Sequence, residues 1–86
     1  MKLNPHYLPY QASGTFLLVP TGGADFSGVV RGNKTLGAIL ELLKSETSEE
    51  AIVDAMAVRF DAPREQIAQD VQKALTQLRS IGAIAE

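Results

Sequence analysis

The sequence predicts an α+β fold, a three-stranded antiparallel sheet followed by three helices, on three observations. The first third is a series of short β-former runs separated by Pro and Gly turns. After Gly32 the apolar spacing changes from extended to helical. Two polar capping signals and one proline then mark where helices open. The 86 residues make one small domain over positions 1–86, with strands within 7–31 and helices within 33–81.

Pro5 and Pro9 hold their neighbours extended, which gives an edge-type first strand near Tyr7–Gln11. Ser13-Gly14 is a turn signal. Thr15–Val19 is an apolar run too short for a helix and rich in β-formers, and Pro20 closes it. Thr21–Asp25, with its Gly pair, reads as a hairpin loop leading to a third strand, Phe26–Arg31. Gly28 inside that strand marks a bulge or a place where another backbone comes close.

Asn33 is the expected N-cap of the first helix, whose apolar face is Leu36, Ile39, Leu40 and Leu43. Gly37 within it costs about 1 kcal/mol against Ala, which implies a close-packing reason. Thr47 and Glu50 read as a capping box opening the second helix, with Ile52, Val53, Met56 and Phe60 turned inward. Pro63 suits the first turn of the third helix, which runs to about Ser80 with Ile67, Val71, Ala74, Leu75, Leu78 and Ile81 on its apolar side. Gly82 is the expected stop, and Ala83-Ile84 a short apolar tail.

Composition narrows the function. With no cysteine there is no disulfide framework, thiolate metal site or cysteine nucleophile. The start has no apolar signal segment and no run is long enough to span a bilayer, so a cytoplasmic location and no membrane partner are expected. The formal net charge is -2, and it divides unevenly: residues 1–43 carry +1 and residues 44–86 carry -3. A domain that must spend its apolar side chains on a thin core has little left for an enclosed catalytic cavity, which favours a binding module over an enzyme.

The polar residues agree. His6 stands alone, without a second histidine or a carboxylate pair at ligand spacing, so no metal, cofactor or catalytic group is expected. Glu46, Glu49, Glu50, Asp54 and Asp61 cluster around the second helix, where they read as a solvated helix start. Thr21-Gly22-Gly23 lacks the residues of a phosphate loop. On the third helix Gln66, Gln69, Asp70, Lys73 and Gln77 form a polar stripe, either simply wet or the adaptable wall of a groove. The opposite wall would be the third strand, an edge whose Phe26–Val30 carries neither charge nor proline to repel another chain.

Leu3-Asn4-Pro5, Leu18-Val19-Pro20-Thr21-Gly22, Phe26-Ser27-Gly28, Gly32-Asn33-Lys34-Thr35, and Asp70-Val71 with Leu75, Leu78, Gly82 and Ile84 resemble the PqqD family. That family gives its name to the pyrroloquinoline quinone biosynthesis chaperone, and it belongs to the peptide-recognition elements of ribosomal peptide natural-product pathways. Gly32, Leu40 and Ala74 stand where the family commonly has Leu, Trp and Phe. The resemblance implies a winged helix-turn-helix-like domain that binds the leader segment of a precursor peptide as an added strand and presents it to a modifying enzyme of the radical SAM type. On this sequence it implies a docking edge at Gly28, Val29, Val30 and Arg31 and the third helix as the opposite wall, and on that helix Lys73, Ala74, Gln77 and Leu78 are the residues we expect to face the groove.

Two other readings use the same shape. A winged-helix DNA-binding domain would present the third helix to phosphates, but a helical half at -3 repels them, so no nucleic-acid partner is expected. A structural adaptor would instead pair two copies through the open edge, making a homodimer on the surface a guest peptide would use.

Overall fold

A hairpin begins the main sheet. The computed structural model describes residues 1–22 and 28–86. Strands β2 (Tyr7–Ala12) and β3 (Thr15–Pro20) pair antiparallel around Ser13-Gly14, both with positive φ, as a two-residue turn of this hand requires. β4 (Val30–Gly32) pairs with the other side of β3, giving the order β2-β3-β4. The three-stranded antiparallel sheet followed by three helices is thus the architecture the residue pattern indicates.

The third strand is shorter than Phe26–Arg31. Among the described residues it begins at Val30, and the expected positions Phe26 and Ser27 lie outside them. Gly28 holds a φ of 150°, a conformation that L side chains rarely adopt, and regular pairing starts only two residues later. Pro20, expected to close the second strand, is instead its last residue, opposite Tyr7.

The chain also forms a two-stranded ribbon that residue spacing did not indicate. β1 (Lys2–Leu3) pairs antiparallel with β5 (Ile84–Ala85), so the short apolar tail is a strand. Neither segment is long enough to carry a periodicity. They meet because Asn4 N–H donates to the Ala83 carbonyl and Leu3 N–H to the Leu43 carbonyl, both at 2.8 Å.

Helix α1 (Lys34–Leu42) is capped by Asn33, whose side chain accepts from Leu36 N–H at 3.1 Å. Gly37 explains itself here: a Cβ at that position would lie 2.2 Å from Cδ1 of Phe16 on β3. The helix can therefore lie directly on the sheet only if this residue has no side chain.

Helix α2 (Glu49–Arg59) starts one residue later than the Thr47–Glu50 box implies. Ser48 is the N-cap and accepts from Ala51 N–H at 3.2 Å. Thr47 N–H is held by the Met1 carbonyl at 2.8 Å, a tertiary bond that fixes Thr47 in the connection before the helix. Glu49 and Glu50 occupy the first turn, where their charge complements the exposed N–H groups.

Helix α3 (Arg64–Ser80) follows Pro63, which sits just outside the first turn, where a missing N–H costs nothing. It ends in a two-bond cap: Gly82 N–H donates to Arg79 carbonyl and Ala83 N–H to Leu78 carbonyl. Tyr7 and Leu18 from the sheet, Leu36, Ile39, Leu40 and Leu43 from the α1 region, Ile52 and Met56 from α2, and Val71, Leu75 and Leu78 from α3 form one core.

Candidate functional site

Hydrogen-bond phase decides which main-chain groups each sheet border offers. Thr21 N–H donates to the His6 carbonyl at 2.7 Å, just beyond the Tyr7–Pro20 pair. Bonded and non-bonded pairs alternate along an antiparallel ladder. Leu8–Val19, Tyr10–Leu17 and Ala12–Thr15 are therefore the bonded pairs, and Pro9 and Pro20 fall where no N–H is needed. Phe16 and Leu18 then turn their amides and carbonyls to Gly32 and Val30 on β4. Arg31, opposite Leu17, points its own N–H and C=O away from the sheet.

The two borders differ. On β2 the outward groups belong to Tyr7, Pro9 and Gln11. Tyr7 N–H is already given to the Asn4 carbonyl at 3.0 Å, and Pro9 has no N–H. This border is blunted by proline in the usual manner of protected edges. On β4 no proline intervenes, and Arg31 turns its main-chain groups outward. Val29 is also 53% exposed, a large apolar side chain beside the free border.

Beside that border runs a groove of about 340 Å³. One wall is Arg31, Gly32, Asn33 and Thr35, the turn from β4 into α1; the other is Asp70, Lys73, Ala74 and Gln77 on α3. The i, i+3, i+4 and i+7 spacing of these four puts them on one side of α3. The polar stripe is thus divided: Asp70, Lys73 and Gln77 border the groove, while Gln66 supports it by donating from Nε2 to Asp70 at 3.0 Å. A smaller apolar notch of about 120 Å³ between Met56, Phe60, Ala62 and Ile67 shares Thr35 and Asp70 with the groove.

The structure brings Arg31, Lys73, Ala74 and Gln77 together around the groove. Gly28 and Val29 are exposed on the approach to β4, outside the groove lining. Val30 is buried, and its main-chain groups serve β3. Leu78, expected to face the groove, is instead fully buried in the core with Leu75 and Val71 and is not among the residues that line it. Its spacing of three and seven residues from those two already places it on the core face. Asn33 and Thr35 join the lining without a mark in the sequence, because a helix N-cap and first turn carry no signal of a groove until the facing helix is known.

The remaining polar candidates lie elsewhere. His6 is exposed; its N–H donates to Asn4 Oδ1 and its carbonyl accepts from Thr21. Glu46, Glu49, Glu50, Asp54 and Asp61 are all exposed, with Asp54 paired to Arg64. Among the described residues no group of three or more His, Asp or Glu side chains converges on a metal position. Among the same residues no helix is long and apolar enough to cross a membrane.

A family model described as coenzyme PQQ synthesis protein D (PqqD) matches residues 14–84. Among solved structures, "TbiB1 in Complex with the TbiA(beta) Leader Peptide" has a TM-score of 0.77 at 18% identity, covering 100% of both chains. This likeness establishes a shared fold. No curated protein matches the sequence.

Proposed function

The chain belongs to the family of coenzyme PQQ synthesis protein D, and from that premise we propose that it is a non-catalytic peptide chaperone. It takes the leader segment of a ribosomally made precursor as a strand added to β4 and hands it to a modifying enzyme of the radical SAM type. The observation that carries this reading is the asymmetry of the sheet: one border is blunted by Pro9, while the other offers Arg31's main-chain groups beside a groove closed by α3. That the similar fold of TbiB1 was solved with a leader peptide supports it.

Strand addition divides the work between backbone and side chains. Main-chain bonds to Arg31 and Val29 set the register of the guest, and every second guest side chain enters the groove against Lys73, Ala74 and Gln77. The expected affinity is on the order of micromolar, roughly -8 kcal/mol. The test is a titration of isotope-labelled protein with the leader segment of a candidate precursor peptide. Shifts should concentrate at residues 29–33 and 70–77. Saturable binding that leaves the Arg31 amide unmoved would remove the strand-addition reading.

A further inference from the structure

We infer that the outer face of the sheet is a self-pairing surface, on which two copies of this chain pack face to face. Directly opposed residues of an antiparallel ladder share a face, and successive residues alternate. Tyr7, Leu18 and Val30 therefore share the face that is buried against the helices. Leu8 and Val19, and the row Tyr10, Leu17 and Arg31, turn to the other side. There Leu8 is 44% and Tyr10 54% exposed, with Leu17 and Val19 half-buried. Among the described residues Arg31 is the one charged side chain that β2, β3 and β4 place on this face, and it is exposed.

The order of that row chooses the partner. It reads aromatic, aliphatic, cation across β2, β3 and β4. A twofold axis running along β3, between two such faces, lays the β2 of one copy over the β4 of the other. The row then meets its own reverse. Leu17 faces Leu17, and each Arg31 guanidinium lies over the Tyr10 ring of the second copy. The same arrangement leaves both β4 borders and their grooves open, on opposite sides of the sandwich, so it stands apart from the peptide-binding reading. Three strands about 4.8 Å apart make a small face, and the pair belongs to the weak class that buries less than about 1,200 Å².

The test is sedimentation equilibrium of the whole chain over a range of concentrations. A reversible dimer is expected, with a Kd on the order of 100 micromolar. Leu17→Glu sets two carboxylates against each other on the axis and should weaken pairing at least about tenfold. Arg31→Gln should weaken it about 5- to 30-fold, because two cation–π contacts are lost at once, whereas Tyr10→Phe keeps the ring and should not. Val58→Glu, at an exposed apolar residue on α2, should leave pairing unchanged. A chain that stays monomeric at roughly millimolar concentration would overturn the inference and leave this face to a different protein. A dimer indifferent to Leu17→Glu would overturn it in favour of edge-to-edge pairing, because β3 is the central strand.

Discussion

The hydroxyl of Tyr7 donates to the main-chain carbonyl of Ile81, tying the first residue of β2 to the end of α3. The ring is 2% exposed, and the carbonyl is one of those a helix end leaves without a partner. This bond holds the sheet to the helix that forms the other wall of the groove. Tyr7→Phe keeps the ring and removes the donor, so it should cost about 1–2 kcal/mol. Urea denaturation should show a lower midpoint with an unchanged slope.

The contact between Gly37 and Phe16 makes a prediction opposite in sign to helix propensity. Gly37→Ala should gain up to about 1 kcal/mol in the helix, yet lose about 1–3 kcal/mol to overpacking against the ring. A net loss is expected. Phe16→Leu in the same chain should recover part of it, and a double-mutant cycle measures that coupling.

The identity of the α2 cap is separable by two substitutions. Ser48→Ala should destabilise by about 1 kcal/mol, since Ala51 N–H loses its acceptor. Thr47→Ala, which leaves the Thr47 N–H bond to Met1 in place, should cost clearly less in the same denaturation experiment.

The alternation along β4 gives neighbouring residues opposite phenotypes. Val30→Pro removes a bond to Leu18 within the sheet and should cost about 1–3 kcal/mol of stability. Arg31→Pro removes an outward N–H, so the fold should survive better while leader affinity falls about tenfold by calorimetry. Arg31→Gln, which keeps the N–H and drops the charge, separates the backbone effect from the side chain.

The order and number of the main elements were legible because each left a local mark: Ser13-Gly14 for the hairpin, Asn33 for α1, the apolar spacing of Ile67 to Leu78 for α3. What was illegible depended on distant partners. Ser48 and Thr47 are both good caps in isolation, and only the bond from Thr47 to Met1 decides between them. β1 and β5 are two residues each and exist through one another. At the site, Arg31 on an edge strand and Lys73, Ala74 and Gln77 on a helix face are each legible locally, while their meeting place depends on how α3 packs beside β4. Leu78 lies on the core face, as its spacing from Val71 and Leu75 sets, rather than toward the groove.

Pro9 has a last consequence. For copies of this chain to stack head to tail, each open β4 would need to seat on the β2 border of the next molecule, where Pro9 cannot donate and Tyr7 is already committed. Propagation into a filament is therefore stopped at its first step, and the association left to the free border is a closed one: a symmetric pair, or a single foreign strand. A sheet with one open border can in this way remain sticky on one side without polymerising.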